Sequence, residues 1–254
     1  MAEPRPATLI TGASAGLGTL FARECAARGD ALILVARRRD RLDALAAELG
    51  PDAHGIAADL AAPGAAEALL REIEARRFFV ETLINNAGFG LAGRFASLPA
   101  ERQTEMIDLN VRALTQLCRL SLPPMIERRR GFILNVASTA AFQAGPNMAV
   151  YYATKAYVLS LTEALHQETK GKGVHVTALC PGPTATEFFD VAGAGNGRLA
   201  KMAVEPLGVV RAGLAALARN RAIVIPGAAN RIGAQASRFL PRAAMRRIVA
   251  RIKA

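Results

Sequence analysis

The stretch Thr11-Gly12-Ala13-Ser14-Ala15-Gly16-Leu17-Gly18 constrains this chain more than any other. Its three glycines span the junction of a strand-like run, Ala7 to Thr11, and a helical one, Gly16 to Arg28. Glycine at a strand-to-helix turn lets backbone amides and the positive helix end approach a pyrophosphate, where a Cβ would stand in the way. A tight turn can want glycine for packing alone, so the loop gains meaning only together with the rest of the chain. Short apolar runs recur at Ala31 to Ala36, Ala53 to Ala57, Thr82 to Asn85, Gly131 to Val136, Val174 to Leu179 and Ala222 to Pro226. Helical stretches separate them at Arg41 to Leu49, Ala65 to Arg76, about Ala100 to Arg129 and Val150 to Thr169. Strand, helix, strand in this order specifies a parallel sheet covered on both faces. The expected fold is therefore α/β, a doubly wound parallel sheet of about seven strands, in a single domain over residues 1–254. The long helix from Ala100 is expected to be disturbed at Pro123 and Pro124, because proline removes an interior hydrogen bond.

Charge and composition narrow the function classes. Net charge is +11, but the last acid is Glu205, and ten bases with no acid come after it. The body is thus nearly neutral and the tail basic. That tail lacks interleaved aromatics and zinc-finger spacing, which disfavours nucleic acid as a partner. No apolar run approaches the roughly 20 residues that cross a bilayer, and the N-terminus reads into a strand without a secretory signal, so a cytoplasmic location is expected. Cys25, Cys118 and Cys180 lie in separate apolar segments and read as buried thiols, with no metal site.

The glycine spacing G-x-x-x-G-x-G departs from the common dinucleotide fingerprint G-x-G-x-x-G. It resembles instead the short-chain dehydrogenase/reductase family, whose loop is TGxxxGxG within a Rossmann-type sheet. The resemblance implies that Gly12, Ser14, Ala15, Gly16, Leu17 and Gly18 cradle the cofactor. After the second strand stand Arg37 and Arg38, where a carboxylate would accept the ribose hydroxyls of NAD; arginine meets a 2′-phosphate instead. NADP(H) is the expected cofactor, with Arg39 left in solvent. Asp59-Leu60 resembles the family's adenine-contacting pair, and Asn86-Ala87-Gly88, after Asn85, its NNAG motif along the cofactor. Pro181-Gly182, with Thr184 and Thr186 beyond it, is similar to its PG motif near the nicotinamide.

Tyr151 and Lys155 are four apart on one face of a helix, where an ammonium can lower the tyrosine pKa and make it a usable proton donor. Tyr152 has Ala156, not lysine, at the same offset. Ser138 precedes Tyr151 by 13 positions, as in the family, and its hydroxyl can donate to a substrate oxygen. Asn110 matches the family's helix asparagine, which kinks the backbone and carries a water to the lysine. The resemblance implies hydride transfer between NADP(H) and a carbonyl or alcohol, with Tyr151 as general acid and base, in a homodimer or homotetramer. A Ser/His/Asp hydrolase is disfavoured, no G-x-S-x-G elbow being read in the chain. The competing reading is a catalytically silent NADP-binding regulatory or scaffold protein.

Residues 187–205 lie where the family carries its substrate loop. Phe188, Phe189 and Met202, with glycines in Val191 to Gly197, suggest an apolar lid and a hydrophobic substrate. Phe89, Phe142 and Met148 are further candidates for the pocket wall. In the tail, about 228–254, Met245, Ile248, Val249 and Ile252 form an apolar stripe among arginines. Packing on protein is preferred for this stripe. An anionic membrane surface, or an acidic carrier or phosphorylated substrate, are the alternatives.

Overall fold

In the computed structural model the chain is described for residues 3–193, 195 and 203–252, leaving aside the side chains of 238, 251 and 252. Met202 and Gly197 of the expected substrate loop lie outside these residues, as does the side chain of Ile252. The strands are β1 (Arg5–Thr11), β2 (Leu32–Ala36), β3 (Ala53–Ala57), β4 (Phe78–Asn85), β5 (Gly131–Val136), β6 (Val174–Leu179) and β7 (Ile223–Val224). All pair in parallel, in the order β3-β2-β1-β4-β5-β6-β7. The winding direction reverses between β1 and β4, so the loops leaving these two strands diverge and open a crevice at their carboxyl ends.

Helices cover both faces. One carries α1 (Gly16–Ala26), α2 (Arg39–Leu49) and α8 (Pro206–Ala218). The other carries α3 (Ala65–Ala75), α5 (Leu114–Glu127) and α6 (Ala149–Glu168). A single turn, α7 (Phe188–Val191), lies in the segment after β6. Strand side chains alternate between the two cores, as the period of two requires. Leu9, Ile33 and Val35 face the α3–α5–α6 side, and Ile10, Leu32 and Leu34 the α1–α2–α8 side.

Three expectations are corrected. The fourth strand begins at Phe78 rather than Thr82, because Arg5, Pro6 and Ala7 pair with Phe78, Phe79 and Val80 across a register shift at Ala7/Thr8. The seventh strand shrinks to two residues. The long helix is interrupted not at Pro123 and Pro124, which lie within continuous α5, but upstream. There α4 (Ala100–Ile107) passes through a π-helical turn at Asp108–Ala113 that contains Asn110.

A buried polar chain ties α6 to the sheet centre. Asn85 Nδ2 on β4 donates to Asn135 Oδ1 on β5 at 2.9 Å, and Asn135 Nδ2 donates to Thr162 Oγ1 on α6 at 3.0 Å. Thr162 in turn donates to the Val158 carbonyl. Each partner lost from such a buried chain is costly, since an orphaned buried group costs roughly 1–3 kcal/mol. Asn135→Ala should therefore lose about 2–4 kcal/mol. Urea unfolding checks this, and a loss below about 0.5 kcal/mol would remove the chain from the fold's support.

Candidate active site

A cavity of about 540 Å³ opens where the strands end, and the loops after β1 to β6 all contribute to its wall. At its floor lies the β1–α1 turn. Gly12 has φ +66°, and a Cβ there would come within 2.9 Å of the Ala87 Cα. A Cβ on Gly18 would run into the Gly12 carbonyl. The turn is therefore folded tightly enough that only glycine fits at both places. Ala15, at the N-cap of α1, supplies no side-chain cap, so the positive end of the helix stays available to an anion. Ser14, Ala15, Gly16 and Leu17 line the cavity beside it.

The turn is stitched to the β4 end. Thr11 Oγ1 accepts from the backbone N–H of both Asn86 and Ala87 at 3.0 Å, and Asn86 Nδ2 donates back to the Thr11 carbonyl at 2.9 Å. Asp59 and Leu60 line the cavity, and Asp59 also closes its own turn by accepting from Ala61 N–H at 3.0 Å.

The arginines after β2 separate. Arg38 donates to Ser14 Oγ at 3.2 Å and pairs with Glu187 at 3.1 Å, while Arg41 reaches the same carboxylate at 2.7 Å. These two guanidiniums hold the Glu187 carboxyl below the usual carboxylate range. Arg37 lines the cavity but turns its guanidinium to Glu105 at 3.0 Å. Arg39 pairs loosely with Asp43 at the surface. Arg41 and Glu187 carried no motif, and the 146 positions between them hid the pair from local reading.

Ser138, Tyr151 and Lys155 come together on the far wall. Ser138 ends the β5 loop, its Oγ accepting from Ala140 N–H at 3.1 Å, and Tyr151 and Lys155 project from the first turns of α6. Lys155 Nζ donates to the Val136 carbonyl at 2.7 Å, which fixes the ammonium at the mouth of β5. Burial pushes the Tyr151 hydroxyl up to about 12, offset in part by a hydrogen bond from Ser138. Burial lowers Lys155 to about 8. The expected depression by the lysine thus does not govern Tyr151; desolvation does.

Asn110, in the π turn, is fully enclosed. Its Oδ1 accepts from Phe89 N–H at 3.1 Å, and its Nδ2 donates to the Phe89 carbonyl at 2.9 Å and to Thr154 Oγ1 at 3.1 Å. Its side chain is therefore a brace between the β4 loop and α6. A Cβ on Gly88 would approach Asn110 Oδ1 to 2.9 Å and Lys155 Nζ to 3.6 Å, so the bare backbone of Gly88 lets both groups sit this close.

Ala87, Pro181, Gly182, Thr184 and Thr186 also line the cavity. Phe89, Met148 and Phe188 line the part near Tyr151, the Phe188 ring lying 5.2 Å from the Tyr151 ring, and Val191 also lines the cavity. Phe142 packs instead against the sheet core. Val249, far away in sequence, enters the same wall.

One further sequence reading is corrected: Gly12-Ala13-Ser14-Ala15-Gly16 does have the spacing of a serine elbow. Ser14 is nevertheless engaged by Arg38, and His166 and His175 are bonded to the Val176 and Leu217 carbonyls, away from it. The cysteines are buried and unpaired, and among the described residues no cluster suits a metal ion and no helix is long and apolar enough to cross a membrane.

Comparison with known proteins agrees with this geometry. The family model described as short chain dehydrogenase matches residues 6–196. The NADP-dependent 3-hydroxy acid dehydrogenase of Salmonella typhimurium is 38% identical over 187 residues, covering 72% of this chain and 75% of that protein. The serine 3-dehydrogenase of Agrobacterium fabrum is 37% identical over 189 residues, covering 74% and 76%. Among solved structures, a short-chain dehydrogenase from Sphingobium yanoikuyae in complex with NADPH superposes with a TM-score of 0.81 at 35% identity, covering 92% of this chain and 93% of that one.

Proposed function

The chain belongs to the short-chain dehydrogenase/reductase family, and from that premise we propose that it is an NADP(H)-dependent oxidoreductase acting on a carbonyl or alcohol of a hydrophobic small molecule. The observation that carries this reading is a single cavity that joins the glycine turn and Arg38 at one end to Ser138, Tyr151 and Lys155 at the other. The fit to the cofactor rests on that turn: the positions of Gly12 and Gly18 leave no room for a Cβ, as close approach of a pyrophosphate requires. Arg38, held by Ser14, is the residue best placed to meet a 2′-phosphate. NADP-dependence in the Salmonella relative and bound NADPH in the Sphingobium structure support the same choice.

When bound, NADPH supplies the hydride. The protein's part is proton management and orientation. The Ser138 hydroxyl donates to the substrate oxygen and holds it against Tyr151, and the Tyr151 O–H passes its proton to that oxygen as negative charge develops. A phenol with its pKa near 12 stays protonated at neutral pH and is therefore loaded as a donor. Lys155, an ammonium below about pH 8, stabilises the phenolate left behind. Asn110 positions α6 through Thr154. The apolar wall of Phe89, Met148, Phe188 and Val191 supports a hydrophobic substrate. Assembly into a homodimer or homotetramer, and single-domain organisation with residues 187–205 as substrate loop, belong to the same proposal.

The test is Tyr151→Phe. Turnover should fall at least about 100-fold, the usual contribution of a positioned general acid, while NADPH binding stays intact. Near-normal turnover would overturn the assignment, and no NADPH oxidation by the wild type against a broad carbonyl panel would favour the silent regulator. Cofactor choice depends on Arg38. NADPH should bind at least tenfold tighter than NADH, about 1.4 kcal/mol, and Arg38→Asp should shrink the gap mainly by weakening NADPH. Equal affinities in the wild type would refute it. Finally, the Lys155 ammonium is lost as pH rises through about 8. The kcat/KM for reduction should accordingly fall above that pH along a one-proton limb, which Lys155→Arg removes whatever its absolute rate. A limb unmoved by that substitution would assign the titration to another group.

A further inference from the structure

Residues beyond 196 lie outside the matched family model, yet the last two helices reach back to the cavity. The first of them, α9 (Ala228–Phe239), is anchored through its first two turns, while Ile232 and Phe239 stay exposed. Its Ala234 is buried in the sheet core, and Asn230 Nδ2 donates to the Pro226 carbonyl at 2.9 Å. The Asn230 amide lies so close over Gly182 that a Cβ there would collide with it. The base of α9 is thus pressed onto the Pro181-Gly182 loop. The chain then extends at Leu240, turns at Pro241 and enters α10 (Arg242–Ile252).

On α10, Met245 and Val249 are four apart and share one face. That face is turned to the body of the chain. Val249 is only 6% exposed and packs in one cluster with Phe89, Met148, Tyr151 and Tyr152, with Met245 against the same cluster. Arg246, Arg247 and Ile248 are exposed on the other side. This is how the apolar stripe of the tail divides. Val249 lines the cavity that contains Tyr151, Met245 packs against the same cluster, and Ile248 does neither.

We propose that α10 is the roof of the substrate pocket and that Val249 is a specificity-determining residue, setting how large an apolar substituent the carbonyl compound can carry. The inference rests on the proposed oxidoreductase function for its substrate, but the placement of Val249 can be tested without it. A valine in the roof contributes apolar area near the reacting oxygen and fills a volume that the substituent must share. Discrimination by one such contact is worth roughly 10- to 200-fold per methylene-scale change in a hydrophobic pocket.

The chain contains no tryptophan, so Val249→Trp in the full-length protein introduces a lone reporter. Its indole emission should be blue-shifted, shielded from acrylamide, and altered by a long-chain methyl ketone. In the same variant, kcat/KM for the longest ketones of a homologous methyl ketone series should fall tenfold or more. That for the shortest should fall by much less. Val249→Ala, which cannot crowd the helix off its seat, should move the preference several-fold toward longer ketones. Solvent-exposed emission indifferent to ketone, or a uniform change across the series in both variants, would overturn the proposal. Failure of the oxidoreductase reading would look different, with a shielded, ketone-sensitive indole in a protein that turns nothing over.

Discussion

The reciprocal hydrogen bonds between Thr11 and Asn86 hold together the two strand ends at which the chain reverses its winding. A doubly wound sheet opens its crevice there of necessity, because the loops leaving β1 and β4 go to opposite faces. An open crevice would leave backbone amides at both strand ends without partners and free to drift. One threonine hydroxyl accepts two of those amides, and one asparagine amide returns the bonds to the opposite loop. With that seam closed, the glycine turn can fold onto Ala87, Gly88 can approach Asn110, and α6 can be braced through Thr154.

The same economy of space sets the electrostatics. Tyr151 and Lys155 sit where water is largely excluded, and desolvation moves both toward their neutral forms, the phenol upward and the ammonium downward. Ser138 pulls the phenol back in part. The Val136 carbonyl gives the lysine one fixed acceptor, which orients it and limits the cost of its burial. Burial thus keeps the donor protonated, and the neighbouring groups supply its readiness to release the proton.

Much of this was legible in the sequence because it is local. The glycine turn, the strand-end arginines and the Tyr151/Lys155 pair each declare themselves within a few residues, and the alternation of elements fixes the sheet. What failed was what depends on distant partners. β4 starts at Phe78 because β1 offers it a partner across a register shift, which Phe78-Phe79-Val80-Glu81 alone does not announce. The long helix runs unbroken through Pro123 and Pro124, and its interruption falls at Asn110, where the family resemblance implied a kink and where the side chain is claimed by Phe89 and Thr154. Glu187 could not be foreseen as the partner of Arg38 and Arg41, nor Val249 as part of the cavity wall, since nothing near either residue in sequence refers to its contact.

The position of Val249 also bears on how the molecule is made. The chain emerges from the ribosome with its amino end first, and domains begin to fold during synthesis. The sheet from β1 to β6, with α6 on it, can assemble while the tail is still being translated. The cluster around Tyr151 then stays uncovered until α10 arrives. An apolar surface of Phe89, Met148 and Tyr151 would face its crowded surroundings during that interval, and a chain cut short near Pro241 would carry it permanently, as a natural target for chaperone capture.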